Sequence, residues 1–183
     1  MARRTRILLV SGSPRSGSSN TAALRTMRAV APEPVTAVLY EGLSGLPAFN
    51  PDDDHEPLPR AAAELRQQIA AADAVVFCTP EYAGSLPGSF KNLLDWTVGG
   101  GEMYGKPVAW INVAAPGRGA GAQESLASVL GYVGATVIEP ACRRITVAGQ
   151  AVGQDGLVAD PAFRAEATTV LAAIVNAVSQ GRP

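Results

Sequence analysis

The sequence predicts an α/β fold in which one parallel sheet lies between two layers of helices. Short apolar runs alternate with helical patterns along the chain, and these runs are apolar throughout rather than at every second residue. Strands of this kind are buried on both faces, and their alternation with helices is typical of right-handed parallel crossovers. With 183 residues, 47% of them hydrophobic, we expect a single domain over residues 1–183.

Five apolar runs are predicted strands. They cover residues 5–10, Val35 to Tyr40, Ala74 to Thr79, Pro107 to Ala114 and Val137 to Val147, the last with an interruption at Pro140. The predicted helices cover residues 18–30, 60–72, 87–97, 121–134 and 161–180. The last helix follows Asp160-Pro161, a pair typical of an N-cap and a first turn. Five strands favour the flavodoxin-like order 2-1-3-4-5 of a three-layer sandwich, in which ligands bind beyond the carboxyl ends of the strands.

The loop after the first strand predicts a phosphate site. Residues 11–21 read Ser-Gly-Ser-Pro-Arg-Ser-Gly-Ser-Ser-Asn-Thr and lead into the first helix. Small residues let backbone N–H groups close around an anion, the hydroxyls and Arg15 add donors, and the helix adds its positive end. The structural alternative is a serine-rich turn in which Ser18 or Ser19 is the helix N-cap.

Three common uses of such a loop are excluded by its residues. Position 18 lacks the lysine of a nucleoside triphosphatase, and Pro14 breaks the dinucleotide fingerprint. The loop also lacks the cysteine nucleophile of a low-molecular-weight phosphatase. We therefore expect the loop to hold a phosphate monoester without cleaving it.

The loop after the third strand makes the prediction specific. It contains Pro80-Glu81-Tyr82-Ala83-Gly84-Ser85, followed by Pro87-Gly88, Lys91-Asn92 and Asp95-Trp96. Together with Gly12, Ser13, Arg15, Gly17, Ser18 and Asn20 in the first loop, these residues resemble the NADPH-dependent FMN reductase family, which includes quinone, chromate and azo-dye reductases. The resemblance spans about residues 5–135. The family usually has Asn where this chain has Ala83.

The resemblance implies an oxidoreductase that binds FMN, uses NADPH or NADH as co-substrate and reduces a small-molecule electron acceptor. The residues that it assigns to cofactor binding are Ser13, Arg15, Ser18, Ser19, Asn20, Thr21, Pro80, Glu81, Tyr82, Ala83, Gly84, Ser85, Pro116, Gly117 and Arg118. Arg118 either meets the 2′-phosphate of NADPH or is an exposed arginine. No side chain is expected to act as a catalytic acid or base, because the chemistry belongs to the flavin.

Two other function classes stay open on the sequence. One is a flavodoxin-type electron carrier, which the net charge of −1 and the intact Pro-Glu-Tyr motif disfavour. The other is a non-catalytic flavin-binding module, which the loss of Asn at position 83 keeps open. Relatives are commonly dimers or tetramers, so we expect a homodimer or homotetramer, with the helix over 87–97 as the interface.

Composition limits the partners and the location. The near-neutral charge gives no indication of nucleic acid or of an anionic membrane, and the first apolar run is too short for a signal peptide or a membrane span, so we expect a cytoplasmic protein. Cys78 and Cys142 lie in apolar runs and are expected to be reduced thiols, and no metal site is expected. The acidic segment from Pro47 to Pro59 is expected to be an exposed connector, with a role in subunit contact or at the rim of the site as the alternative.

Overall fold

The predicted parallel sheet is present in the computed structural model, which describes residues 4–181. Its strands are β1 (Thr5–Ser11), β2 (Val35–Tyr40), β3 (Ala74–Cys78), β4 (Pro107–Asn112), β5 (Thr136–Val137) and β6 (Arg143–Arg144). Their order is β2-β1-β3-β4-β5, every pair is parallel, and β6 also pairs with β4. The flavodoxin-like strand order predicted from the sequence is confirmed.

The fifth position of the sheet is divided between two short strands. Val137 pairs with Val108 near the start of β4, and Arg144 pairs with Asn112 at its end. A turn of 3-10 helix at Glu139–Ala141 separates the two strands. Proline has no N–H to give to a sheet, so the chain leaves the ladder at Pro140. The predicted interruption is confirmed, but the paired parts are much shorter than the predicted strand over 137–147.

Five helices follow the predicted pattern to within two residues at each end. They are α1 (Ser19–Ala29), α2 (Arg60–Ala70), α3 (Gly88–Asp95), α4 (Ala120–Tyr132) and α5 (Pro161–Gln180). The predicted start of the last helix is confirmed, because the Asp160 carboxylate accepts a hydrogen bond from the Ala162 N–H at 2.9 Å.

The helices form two layers, one on each face of the sheet. Ile7 and Leu9 of β1 belong to a core with α1 and α5, whereas Leu8 and Val10 belong to a second core with α2, α3 and α4. Successive side chains of a strand point to opposite faces, so a continuous apolar run fills both cores. The sandwich therefore has the three predicted layers.

The acidic segment 47–59 is fixed to α3. The buried Trp96 donates from its indole N–H to the Pro47 carbonyl at 2.9 Å, and the Phe49 ring meets the Trp96 ring edge-on at 5.1 Å. Asn92 accepts from the Phe49 N–H at 2.7 Å and donates to the Pro47 carbonyl at 2.8 Å. The segment is thus anchored at its first residues and again at Asp54, which forms an ion pair with Arg66 of α2, and most of its other residues are exposed. Trp96 serves packing.

Three further properties of residues 4–181 concern membrane-spanning helices, metal-binding groups and free cysteines. No helix in this range is long and apolar enough to cross a membrane, and none of its His, Cys, Asp and Glu side chains form a group of three suited to a metal ion. Cys78 is buried, Cys142 is half-buried, and both are free thiols. Burial raises the pKa of each thiol, so both remain protonated at neutral pH.

Candidate functional site

Three loops meet at the carboxyl edge of the sheet. They follow β1, β3 and β4, and they enclose a cavity of about 290 Å³. Five of the predicted cofactor-binding residues line it: Ser19, Asn20, Pro80, Glu81 and Arg118. The strand order reverses between β1 and β3, and this is where open α/β sheets bind their ligands.

The first loop packs directly against the second. The Gly12 N–H donates to the Cys78 carbonyl at 2.9 Å. A Cβ at position 12 would overlap Thr79 and lie 2.9 Å from the Phe90 ring, so only glycine fits there. Glycine at this position therefore lets the loop after β1 lie against the end of β3.

The hydroxyls of the first loop have structural partners. The Ser18 Oγ accepts from the Asn20 N–H at 3.2 Å, so Ser18 is the N-cap of α1. The Ser11 and Thr21 hydroxyls are 2.8 Å apart, and the Ser13 N–H donates to the Ser11 Oγ at 3.3 Å. The alternative raised from the sequence, a capping serine, is thus present in the structure. Ser18 is only an acceptor in this cap, so the cap does not use its O–H.

The structure separates the predicted phosphate residues into two groups. Ser19 and Asn20 line the cavity between the three loops, whereas Ser13, Arg15 and Thr21 line a different cleft on the β2 side. The Arg15 guanidinium is exposed and donates to the Gly17 carbonyl at 3.0 Å. Ser13 is buried, and its hydroxyl accepts from the Arg15 N–H at 3.4 Å.

Asn20 presents a donor to the cavity. Its Oδ1 accepts a hydrogen bond from the Cys78 thiol at 3.3 Å, and the raised pKa of that thiol keeps it protonated. Because the thiol occupies the amide oxygen, the amide nitrogen is the group available to a ligand. Both side chains are buried, which fixes this orientation.

The second loop forms a tight turn over Tyr82–Ser85. The Tyr82 N–H donates to the Ser85 carbonyl at 3.0 Å, and the Ser85 N–H donates to the Tyr82 carbonyl at 3.1 Å. The two central residues, Ala83 and Gly84, have φ of 50° and 74°, which defines a type I′ turn. Within residues 4–181 the N–H groups of Ala83 and Gly84 meet no acceptor, so they are free for a ligand.

This turn is clamped to the start of α4. The Glu81 carboxylate accepts from the Ala122 N–H at 3.1 Å, and the Ser85 and Ser125 hydroxyls are 2.9 Å apart. A Cβ on Gly121 would overlap the Gly84 carbonyl group, so helix and turn are in backbone contact. Glu81 caps a helix here, and it orients the turn from that position.

The third loop depends on a residue that the sequence reasoning missed. Asn112 is buried at the end of β4, accepts from the Ala114 N–H at 2.9 Å and donates to the Gly119 carbonyl at 3.2 Å. It thus joins the two ends of the loop. A polar residue that ends a buried strand before a glycine-rich loop is the signal that would have identified it.

The predicted residues of the third loop are exposed. Pro116 and Gly117 stand at its tip and do not line the cavity, and Arg118 lies at the rim. The Arg144 guanidinium donates to the Arg118 carbonyl at 2.7 Å and holds the loop from the β6 side. The Arg118 side chain is exposed, which agrees both with contact to the 2′-phosphate of NADPH and with a solvent-exposed arginine that has no ligand.

The strand order and a ligand cavity where that order reverses define a flavodoxin-like protein. The chain belongs to the NADPH-dependent FMN reductase family, whose model matches residues 5–146. The family resemblance predicted from the two loop motifs is therefore confirmed. It is a family of oxidoreductases with FMN as cofactor and NAD(P)H as co-substrate.

Individual relatives agree with this family. An NAD(P)H-dependent FMN reductase of Pseudomonas aeruginosa is 40% identical over 112 residues, which are 60% of this chain and 60% of that protein. A quinone reductase of Escherichia coli is 32% identical over 143 residues, 75% of this chain and 76% of that protein. The solved structure of the flavoenzyme NAD(P)H:(acceptor) oxidoreductase FerB of Paracoccus denitrificans has a TM-score of 0.80 at 28% identity, covering 96% of this chain and 98% of that chain.

Proposed function

We propose that this protein is an FMN-dependent NAD(P)H oxidoreductase that passes electrons through the bound flavin to a small-molecule acceptor. The observation that carries the proposal is the cavity where the three loops meet, at the switch point of the sheet. Quinones are the first acceptor class to test, because several relatives are named quinone reductases. Free flavin, azo compounds and metal oxyanions are further acceptors in the proposed range.

The residues of the cavity fit a flavin. Ala114 and Ala115 leave room for a ring system, and the Asn20 amide supplies a donor inside the cavity. Tyr82, which is 50% exposed, offers a flat apolar surface beside the turn. We propose that the ring lies against the turn over Tyr82–Ser85 and that the flavin phosphate is held by the first loop, with Arg15, which stands on the β2 side of that loop, as its cation.

In this proposal the residues of the chain bind and orient the cofactor, and the cofactor carries out the reaction. Bound FMN would supply the acceptance of hydride from NAD(P)H and its delivery to the acceptor. The free N–H groups of Ala83 and Gly84 would stabilise negative charge on the ring edge, since fixed dipoles in a partly dry site need no reorganisation. Asn112 and Glu81 act as positioning residues, because they hold the third loop and the turn, respectively. No acid or base is assigned to a side chain.

The assembly and location are proposed with the same function. A homodimer or homotetramer that uses the exposed face of α3 would shelter a flavin bound in an open cavity. The composition supports a cytoplasmic location, where NAD(P)H is available. Size-exclusion chromatography with light scattering tests the assembly directly.

The decisive experiment is an absorption spectrum of the purified protein, followed by anaerobic titration with NADPH and with NADH. We expect a yellow protein whose flavin absorbance is bleached by NAD(P)H and restored by a quinone. A yellow protein that neither nucleotide bleaches would be a carrier or a binding module. A colourless protein that FMN cannot reconstitute would refute every flavin function.

Arg15→Ala tests the phosphate site within the same protein. We expect the variant to bind FMN at least tenfold more weakly, because a charge-assisted hydrogen bond contributes about 1.5–3 kcal/mol. The fold should be unchanged, since the Arg15 side chain is exposed. Equal FMN affinity in wild type and variant would remove Arg15 from the site.

A further inference from the structure

Cys78 belongs to neither loop motif, yet its side chain contacts a residue that lines the flavin cavity. It is the last residue of β3, pairs with Ser11 at the end of β1 and is completely buried in the core shared with α1 and α5. The contact is with Asn20, in the first turn of α1. Because Cys78 does not itself line the cavity, its thiol can act on a ligand only through Asn20.

The Asn20 amide has one end that accepts hydrogen bonds and one end that donates them. Its Oδ1 accepts from the Cys78 thiol at 3.3 Å, and within residues 4–181 its Nδ2 meets no acceptor. The nitrogen is open to the cavity that Asn20 lines, since the enclosed side-chain atoms without a partner in this range are Arg6 Nε and Glu102 Oε2. Asn20 is only 8% exposed, so it presents a single free donor to a ligand in that cavity.

The thiol selects this orientation of the amide, because it is the one hydrogen-bond partner of the Asn20 side chain among residues 4–181. Rotation of the amide by 180° would turn Oδ1 towards the cavity and leave the buried S–H without an acceptor. Burial raises the pKa of the Cys78 thiol, so the group keeps its proton and remains a donor. A thiolate, which only accepts, would instead attract Nδ2 and turn the carbonyl oxygen towards the ligand.

A free donor at this position suits an anion. The backbone N–H of Asn20 already donates to the Ser18 Oγ at 3.2 Å, so the side-chain amide is the donor that Asn20 has left. It lies in the first turn of α1, where the helix dipole also favours negative charge. A carbonyl oxygen in the same place would repel a phosphate. The orientation of the amide therefore decides whether Asn20 attracts or repels such a ligand.

We propose that Cys78 is a positioning residue for the flavin phosphate, because its S–H holds the Asn20 amide with the nitrogen directed at that phosphate. The inference rests on the proposed function and adds to it a residue outside the two motifs. It gives Cys78 a role beyond filling the core, which a hydrophobic residue of similar size would fill equally well.

The test compares the affinities of the apoprotein for FMN and for riboflavin, which lacks the phosphate, by the quenching of flavin fluorescence. We expect wild type to bind FMN more tightly than riboflavin. In Cys78→Val, which suits a buried strand but has no donor, this preference should fall about two- to tenfold, as the loss of one neutral hydrogen bond implies. Cys78→Ser should keep most of the wild-type preference, because its hydroxyl is a donor in the same place.

Three further variants separate positioning from packing. Cys78→Ala is smaller than cysteine and should change the preference in the same direction as Cys78→Val, so the result does not depend on whether valine fits. In an Asn20→Ala background, Cys78→Val should have no further effect on the preference, because the thiol then has no amide to orient. Cys142→Val is the matched control, since this second thiol is half-buried and does not line the cavity, and it should leave the preference unchanged.

Three results would overturn the inference. They are a wild-type preference in Cys78→Val, equal losses in Cys78→Ser and Cys78→Val, and equal weakening of FMN and riboflavin, which would mean that Cys78 supports the ring or the fold and not the phosphate. Failure of the proposed function looks different. An apoprotein that binds neither flavin refutes both proposals, and flavin binding without turnover refutes only the oxidoreductase. A holoenzyme that oxidises NAD(P)H, with an unchanged flavin preference in Cys78→Val, refutes only the role of Cys78.

Discussion

Ala83→Asn should stabilise this protein, although Ala83 is exposed and belongs to no core. Among residues 4–181, Ala83 is the single non-glycine residue with a positive φ, at 50°. It is the first central residue of the type I′ turn between Tyr82 and Ser85, and Gly84 is the second. Asn-Gly is the preferred pair for such a turn, because asparagine tolerates left-handed backbone far better than alanine.

The size of the effect follows from the backbone alone. A residue with a Cβ in the left-handed region costs about 1–2 kcal/mol, and asparagine recovers part of this by local hydrogen bonding. We therefore expect Ala83→Asn to raise the free energy of unfolding by about 0.5–1 kcal/mol. In a chain of this size this corresponds to a rise in Tm of about 1–4 °C. Ala83→Val should do the reverse, because a branched Cβ suits this region least.

The assay is urea unfolding of the apoprotein, with thermal unfolding as a second measurement. Ala48→Asn is the control, since Ala48 is an exposed loop alanine without a positive φ, and its effect should stay within about 0.5 kcal/mol. The reasoning is refuted if Ala83→Asn is no more stable than wild type, or if Ala48→Asn gains as much. Either result would mean that the turn does not hold alanine in a strained conformation.

Two further predictions concern packing and pH. Gly121→Ala should lower the free energy of unfolding by about 1–2 kcal/mol in denaturant titrations, because its Cβ would overlap the Gly84 carbonyl group. Gly131→Ala lies in the same helix and is the control. No atom lies within 4 Å of its new Cβ, so it should raise the free energy of unfolding by about 0.5–1 kcal/mol. Burial and the charge of Glu64 raise the pKa of Tyr40 from 10.0 to about 12. Its contribution to stability is therefore complete below pH 10 and is lost as the pH rises towards 12, by at most roughly 3 kcal/mol, and Tyr40→Phe should flatten unfolding curves measured across that range.

The sequence predicts the fold well because the apolar runs and the helix signals agree. The parallel sheet was predicted from the apolar runs of β1 to β4 and the strand order from the number of strands, whereas the helix ends were predicted from local signals such as Asp160-Pro161. The fifth strand was predicted too long, since the apolar run over 137–147 does not show where Pro140 removes the chain from the sheet. An apolar run indicates burial, but residues around a 3-10 turn can be buried without forming hydrogen bonds to a neighbouring strand.

The sequence predicts which loops form the site, but not the residue that holds the third loop in place. Motif residues placed Asn20 and Glu81 at one cavity, but the positioning residue Asn112 lies at a strand end whose hydrogen-bond partners are known only from the structure. The motif also gave no way to divide the first loop between two cavities. Arg15 and Arg25 are ten residues apart in the sequence, and only the packing of α1 beside β2 shows that they face the same cleft.

The departure at Ala83 is tolerated because the turn is held from outside. A strained residue persists where the surrounding structure determines its conformation more strongly than its own preference does. Here the Glu81 carboxylate caps α4, the Ser85 hydroxyl meets that of Ser125, and the helix backbone at Gly121 lies against Gly84. These contacts fix both ends of the turn whichever residue stands at position 83. The turn can therefore keep the conformation that leaves the N–H groups of Ala83 and Gly84 unpaired without the asparagine that the family usually has, and the strain at Ala83 lowers the free energy of unfolding.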